Sequence, residues 1–423
     1  MIKLFKTIRY MFKRILLLGT LLSLTLLVNA QKQSLEYYID KAAQNNPLLK
    51  DYQNQLSASS VDSLLIRASQ KYQADATSQL IYSPVISGIG YDEALTNGAN
   101  VVGMVGVKKD VMNKNVLETR FKGLYIQRQS VGNSIRLSVN DVKKSITNQY
   151  LTAYGDLNEI AFNRGQLKLM NDQLALLKHL LENGVYKQSD YLSLLAETLA
   201  QELLITQLTG QYATDIQLLN QLCGIIYTGE VELTTPVITE IKVDNISQSP
   251  LFMQFKIDSL KIENQKQLVF DQVKPKLNWF ADAGLMSSTI NNIYRHFGIS
   301  AGINLSIPIY DGGQRKLEAQ KLTLSENTRS SYQNFFKTQY QQQVMQIYSE
   351  LSNTAKVVEQ VNKQLATSIE LIGIARKQLS NGTIPVTEYL NAIRNHSVIN
   401  RMINQTEVKR LLLINELNFL KQQ

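Results

Sequence analysis

The side chains able to catalyse a reaction or bind a metal are few and scattered in this sequence. The three histidines, His179, His296 and His396, lie far apart, and Cys223 is the only cysteine. A histidine metal site needs ligands at short, regular spacings, and a nucleophilic cysteine needs a neighbouring base. Neither pattern occurs along the sequence, which therefore predicts no enzymatic activity, no bound metal and no cofactor.

Two acids occupy matched positions in a pair of similar segments. NGVYKQSDYL at 183–192 and NGTIPVTEYL at 381–390 share Asn, Gly, Tyr and Leu, and they place Asp190 and Glu388 at the same point. A carboxylate in the first turn of a helix meets the positive end of the helix dipole, which is worth roughly 0.3–1 kcal/mol. Each segment is therefore predicted to reverse the chain between two helices, with the acid at the start of the returning helix.

Turn-forming residues surround both acids. Gly184 and Gly382 suit the end of a helix, because glycine takes the left-handed conformation without steric cost. Pro385 discourages the helix from continuing through the turn. Ser189 and Thr387 are predicted to cap the returning helices through their side-chain oxygens. Capping and turn chemistry account for these residues completely, and a further functional role for the acids is the alternative.

Long helices must position these reversals. Proline is absent from 85–235 and 309–384, and apolar residues there recur mostly every three or four positions, as in coiled coils. Long helices are predicted at about 111–181 and 313–379, each on the order of 100 Å at ~1.5 Å per residue. Shorter helices are predicted at 34–72, 187–223, 248–274 and 386–423.

Alternating residues predict two β-strands ahead of each long helix. The clearer pair lies at about 277–285 and 299–307, and a fainter pair at about 74–83 and 98–109. One face of each strand is apolar and the other is small or polar. In the last strand the small or polar face consists of Ser300, Gly302, Asn304 and Ser306.

The number of strands limits where they can be placed. Strands of about ten residues are long enough for an outer membrane, but four cannot close a barrel, which needs about eight. A membrane location would require oligomers, since two copies supply eight strands and three supply twelve. The alternative is a soluble sheet that caps a helical bundle, which predicts the same alternation. Lys108 and Lys109 weaken the apolar pattern at the end of one strand.

The first 30 residues resemble a secretory signal peptide. Five basic residues precede the apolar run at 15–28, and small residues end it, which predicts cleavage near Ala30. No later apolar run approaches the length of a membrane-spanning helix. Because the signal carries much of the formal charge of +9, we expect no nucleic acid partner.

The similar segments indicate that the chain is built twice. We predict a signal peptide at 1–30, a first repeat at 31–223, a linker of short strand and loop at 224–247, and a second repeat at 248–423. Each repeat contains a helix, two strands, a long helix and a return helix. The first copy has the longer hairpin between its strands.

Several motifs resemble the TolC-like outer-membrane efflux family. They are LSIPIYDGGQR at 305–315, KPKLNWFADAGL at 274–285 and the paired glycine turns. The resemblance covers the mature chain and implies a mainly α fold with a membrane β-barrel. Three protomers would form a 12-strand barrel in the outer membrane, in contact with its lipid, continued by an α-helical barrel of coiled-coil helices into the periplasm. Candidates for an aromatic girdle are Tyr82, Tyr91, Trp279 and Tyr294.

The same resemblance implies a function. The homotrimer would be the exit duct of a tripartite efflux or type I secretion system in a Gram-negative cell. Its partners would be a periplasmic adaptor (membrane fusion) protein and an inner-membrane RND or ABC pump. The pump class and the exported substrate stay open. The alternative is a periplasmic or surface coiled-coil protein with a structural or adhesive role and no channel.

Site residues follow from matching these positions to the family. Glu388 corresponds to the first of two acids that ring the periplasmic aperture, whereas Asn391 stands at the second. Ile384 stands where the family's best-known member has a basic residue paired to the acid matched by Asp190, so that salt bridge is impossible here. Apolar packing by Leu379 and Ile384 is one way to close the duct. The candidates for adaptor docking at the tips are Gly184, Ser189, Gly382, Pro385 and Thr387.

Overall fold

The structure is a computed structural model of the chain. It describes residues 31–84, 86–92, 98–226, 229, 231–241, 249–289 and 293–422. The predicted signal peptide, part of the longer hairpin in the first copy and much of the linker lie outside these residues.

The chain is mainly helical, with two sets of strands. Its helices are α1 (Leu35–Asn45), α2 (Pro47–Ala68), α3 (Lys114–Glu182), α4 (Gln188–Cys223), α5 (Pro250–Asp271), α6 (Gln314–Ser380) and α7 (Val386–Gln422). Its strands are β1 (Gln31–Gln33), β2 (Gln73–Ser83), β3 (Gly98–Val111), β4 (Val231–Leu233), β5 (Lys276–Ser287) and β6 (Phe297–Ser306). The order of helix, two strands, long helix and return helix occurs twice, and both long helices lie within a few residues of their predicted bounds.

Helix starts follow from local sequence. Ser249 accepts a hydrogen bond from the Phe252 N–H at 3.3 Å, and Pro250 occupies the first helical position of α5, where its missing N–H costs nothing. Pro47 likewise begins α2, which is why the predicted helix at 34–72 is divided in two. In the DGG motif, Asp311 accepts from the Gly313 N–H at 2.9 Å just before α6 begins.

The contacts of the chain divide it into two units. The helical unit comprises the described residues within Met1–Pro47, Val139–Asp244 and Tyr340–Gln422, and the sheet unit those within Leu48–Ser138 and Asn245–Gln339. This division crosses the two sequence repeats, which stay a prediction.

A tyrosine-rich core lies in the helical unit. Tyr38, Tyr150 and Leu219 are fully buried together. The Tyr150 hydroxyl lies 2.7 Å from the Thr234 carbonyl oxygen and 3.0 Å from that of Gln33, and it thereby joins α3 to the parallel pair of β1 and β4. The linker therefore contains a short strand, as predicted.

Buried residues along the helical unit's part of α6 recur every seventh position, which is the spacing of a coiled-coil seam. They are Ile347, Thr354, Val361, Ser368 and Ala375. A fully buried large aliphatic side chain is worth about 1.5–3 kcal/mol, whereas Thr, Ser and Ala bury less apolar area. Packing of this seam is therefore weaker than that of a seam of leucines.

Helix packing in the sheet unit joins α5 to α6. The ring centroids of Phe252 and Phe336 are 5.4 Å apart, and the Ser259 hydroxyl of α5 donates to Glu326 Oε1 of α6 at 3.2 Å. Among the described residues, no helix is both long and apolar enough to cross a membrane.

The main sheet is antiparallel, in the order β2-β3-β5-β6. Residues paired across neighbouring strands share a face, so the register assigns every side chain to one of two faces. The apolar face includes Leu80, Val105, Trp279, Leu285, Ile299 and Ile303. The polar face includes Asp75, Lys108, Asn278, Asp282, Ser300 and Asn304. The predicted alternation holds for most of β5 and β6, where Phe280 is an exception on the polar face. It is weaker in β2 and β3, which place Ile81, Val102 and Met104 on the polar face as well.

Candidate functional site

The first hairpin closes α3 with hydrogen bonds typical of a glycine-terminated helix. Gly184 has a φ of +73°. The Gly184 N–H donates to the Leu181 carbonyl at 2.9 Å, and the Val185 N–H donates to the Leu180 carbonyl at 2.9 Å. These bonds satisfy carbonyls that the end of the helix would leave without partners.

The second hairpin repeats this geometry at the end of α6. Gly382 has a φ of +70°, and the Thr383 N–H donates to the Gln378 carbonyl at 3.0 Å. A Cβ added to Gly382 would lie 2.6 Å from Cγ1 of Val185. Glycine is therefore required here both for the left-handed backbone and for the contact between the two hairpins.

Capping of the returning helices differs from the prediction. Ser189 and Thr387 each lie second in their helix, so neither occupies the capping position, and their predicted role as caps is wrong. In the first hairpin Lys187 occupies the capping position, and Asp190, the third residue of α4, reaches back so that its Oδ2 accepts from the Lys187 N–H at 3.1 Å. Glu388 lies in the first turn of α7 and is exposed, as predicted.

A hydroxyl links the two hairpins. The Tyr186 hydroxyl lies 2.9 Å from the Leu379 carbonyl oxygen and 2.8 Å from that of Ile384, and its single proton is shared between them. Burial and the charge of Asp190 raise the pKa of Tyr186, so it stays a donor at neutral pH. The resemblance to the family implies that Ile384 can form no salt bridge here, but no sequence pattern predicts this contact of Tyr186.

Apolar side chains fill the space beneath the hairpins. We call this set the tip cluster, and its most deeply buried members are Met170, Leu177, Leu194, Leu379, Val386 and Tyr389. Ile384 is partly buried against it. The structure thus brings Leu379 and Ile384 together, while Glu388, Asn391 and Pro385 stay exposed.

Ion pairs join α7 to α4 and α3. Arg394 contacts Glu197 through two bonds of 3.0 and 2.6 Å, and these lower the pKa of Glu197. One heptad further on, Arg401 contacts Glu159 at 2.9 Å. A Cβ on Gly155 would lie 2.8 Å from Val408, so glycine permits close approach of α3 and α7.

Two carboxyl groups meet between α3 and α4. Asp215 accepts from the side-chain amides of Gln149 and Gln211, each at 2.8 Å. Within the described part of the chain, no donor reaches the buried Oδ2 of Asp156. Burial and the hydrogen bond to Asp215 raise the pKa of Asp156 to about 7, so Asp156 carries the proton that the pair shares.

The histidines and the cysteine are placed apart. His396 is buried, with its Nδ1 3.2 Å from the Ser368 hydroxyl, and burial lowers its pKa. The Nδ1 atom of His179 lies 3.6 Å from Oε2 of Glu182. Cys223 is buried and forms no disulfide in the described part of the chain. Over the described ranges, no three His, Cys, Asp or Glu side chains are grouped so that they could hold a metal ion.

The apolar face of the sheet is exposed in the single chain. Ile299, Ile303 and Leu80 are 80, 76 and 69% exposed. One border carries Tyr72 and Trp279, whose ring centroids are 5.2 Å apart. At the opposite border the exposed aromatic side chains are Tyr82, Tyr91, Tyr294 and Phe297.

The fold that contains this four-stranded sheet and these paired long-helix hairpins is similar to that of several solved outer-membrane channels. The predicted resemblance to TolC-like channels is confirmed at the level of the fold. No protein-family model matches the sequence, and a comparison with curated proteins finds no match.

Three solved structures illustrate the likeness. The outer-membrane channel OprN has a TM-score of 0.73 and 11% identity, over 92% of this chain and 89% of that chain. The outer membrane protein VceC of Vibrio cholerae has a TM-score of 0.70 and 12% identity, over 92% and 96%. The open state of the MtrE channel of Neisseria gonorrhoeae has a TM-score of 0.72 and 10% identity, over 92% and 88%.

Proposed function

We propose that the protein is an outer-membrane channel that serves as the exit duct of a tripartite efflux or type I secretion system. The exposed apolar face of the sheet carries this proposal. In a soluble protein, an apolar sheet face of this size would have to be covered by other parts of the protein or by a partner. In a membrane barrel, the apolar face of each strand contacts lipid and the polar face contacts water. The fold shared with outer-membrane channels supports the same conclusion.

The dimensions of the apolar face fit a bilayer. Tyr72 and Tyr82 are ten positions apart, which is about 33 Å along a strand at ~3.3 Å per residue. A tilt of about 40° reduces this to about 25 Å across the membrane, the height of the apolar band in outer-membrane barrels. Aromatic residues then lie at both interfaces.

The four strands of one protomer are too few to close a barrel, which needs about eight. Three protomers would supply the 12-strand barrel that the resemblance implies. The two repeats, 31–223 and 248–423, would each contribute a pair of strands and a coiled-coil hairpin to the trimer. The signal peptide would direct export across the inner membrane, and its cleavage near Ala30 would release the mature chain, which would then insert into the outer membrane with its hairpins in the periplasm.

The hairpins are the proposed periplasmic end of the duct. Glu388 from three protomers would give the aperture a ring of negative charge. There would be only one such ring, because Asn391 stands where the resemblance implies a second acid. The tip residues, including Gly382, would meet the periplasmic adaptor, which connects the duct to an RND or ABC pump. Gly382→Val, at normal expression, should abolish adaptor pull-down, and retained binding would contradict docking at the tips.

Membrane fractionation tests the proposal. The mature protein should sediment with the outer membrane and run as a heat-modifiable trimer on gels. A periplasmic coiled-coil protein without a channel would instead appear as a soluble, elongated particle, and that result would overturn the proposal.

A further inference from the structure

Two adjacent lysines near the end of β3 lie on opposite faces of the sheet. Lys108 lies on the polar face, where its Nζ is 3.6 Å from the carboxylate of Asp75. Lys109 lies on the apolar face, opposite Trp279 in the register of β3 and β5. The sequence pattern shows only that both charges interrupt the strand, whereas the structure separates their surroundings.

Lys109 is held by aromatic rings rather than by a carboxylate. Its Nζ lies 4.8 Å from the centroid of the Tyr72 ring, which in turn meets Trp279 edge to face. In the described ranges Lys109 makes no ion pair. A cation on an exposed ring gains about 0.5–1 kcal/mol, but its charge is not neutralised.

The position of this group matches a membrane boundary. One border of the apolar face lies next to the start of α3. The side chains at this border are Lys109, Tyr72 and Trp279. In the proposed orientation this is the periplasmic border. Aromatic rings favour the level where hydrocarbon meets headgroups, and a lysine there extends its ammonium group towards the phosphates.

We propose that Lys109, Tyr72 and Trp279 form a binding site for the phosphate group of an anionic phospholipid in the inner leaflet. This inference rests on the proposed membrane location. The ammonium group of Lys109 pairs with a phosphate oxygen, and the two rings contact the glycerol region and the first methylene groups of the lipid. A zwitterionic lipid binds less well, because its own cation competes with Lys109.

Lipid retention, measured by native mass spectrometry on the detergent-purified protein, tests the site. The protein should retain phosphatidylglycerol several-fold more than phosphatidylcholine. Lys109→Gln should lose most of this preference and Lys109→Arg should keep it. Lys108→Gln is the matched control, since it removes the same charge one residue away on the other face, and it should retain lipid as the unmodified protein does.

Several outcomes would overturn the inference. Equal retention by Lys109→Gln and the unmodified protein would exclude the site, and equal losses in both Gln variants would indicate general charge attraction. Displacement of the lipid by excess inorganic phosphate would indicate a site for the free anion. Conductance of the same preparations in planar bilayers separates this test from the proposed function, because Lys109→Gln should still form channels.

Discussion

The hydroxyl of Tyr186 lies 2.9 Å from the carbonyl oxygen of Leu379, 193 residues further along the chain. This contact joins the first hairpin to the end of α6 at the proposed aperture. It is a neutral hydrogen bond, so salt should weaken it far less than an exposed ion pair. The resemblance implies an ion pair at the tips that Ile384 cannot make, whereas the contact that the structure shows between the two hairpins is a hydrogen bond within one protomer.

Tyr186→Phe tests this link. The variant keeps the ring in the tip cluster but removes the donor, and a lost hydrogen bond of this kind costs about 0.5–1.5 kcal/mol. We expect faster amide hydrogen exchange in both hairpins and a larger open fraction in planar bilayers. Tyr191→Phe is the matched control, since Tyr191 also packs against the tip cluster but lies further along α4. Equal behaviour of the two variants would exclude the link.

Alanine at the two turn glycines should have unequal effects. Both positions have positive φ, which costs a non-glycine residue roughly 1–2 kcal/mol. Only at Gly382 does the new Cβ also approach Val185, at 2.6 Å. Gly382→Ala should therefore lower the thermal midpoint more than Gly184→Ala. Equal midpoints would mean that the hairpins do not pack as the structure shows.

Substitutions of the two tip acids, Glu388 and Asp190, should have different effects. Glu388→Gln should reduce cation selectivity in planar bilayers and leave trimer assembly unchanged. Asp190→Asn should mainly reduce stability, by about 0.3–1 kcal/mol, because it removes the negative charge in the first turn of α4, while the amide oxygen can still accept from the Lys187 N–H. Unchanged selectivity in Glu388→Gln would leave that acid with only a helix-dipole role.

The pair of Asp156 and Asp215 predicts a pH dependence of stability. The pKa of Asp156 is raised from 3.8 to about 7, so between these values the folded chain holds a proton that the unfolded chain releases. The free energy of unfolding should therefore fall as pH rises through this window. The pKa of Asp215 is lowered, so its contribution changes only at more acidic pH.

Urea unfolding at pH 5 and pH 8 checks this prediction. Asp156→Asn keeps a donor towards Asp215 but cannot ionise, so it should reduce the difference in stability between the two pH values. Asp172→Asn, on the same long helix, is the control. A pH difference that persists in full in Asp156→Asn would show that the shared proton is not its source.

Local signals in the sequence were sufficient for most of the fold. Proline positions and apolar spacing predicted both long helices, and period-two alternation predicted β5 and β6. β2 and β3 were fainter because small residues, such as Gly103 and Gly106, dilute their pattern. The sequence predicts one helix at 34–72 where the structure has two, because Pro47 at a first helical position leaves the helical pattern on either side unchanged.

The contacts that define the site were less predictable. The hydroxyl of Tyr186 meets carbonyls almost 200 residues away, and any residue type supplies such a carbonyl, so no side-chain pattern marks this link. Asp156 and Asp215 likewise meet only through the packing of α3 on α4. Predicted caps at Ser189 and Thr387 failed because the helices begin earlier, at Gln188 and Val386.

Single-channel recording from the purified protein in planar lipid bilayers shows whether the chain forms the proposed channel through the outer membrane. We expect discrete conductance steps that favour cations and that lose part of this preference in Glu388→Gln. If the protein is folded and trimeric but the bilayers stay without conductance, the chain does not form a channel.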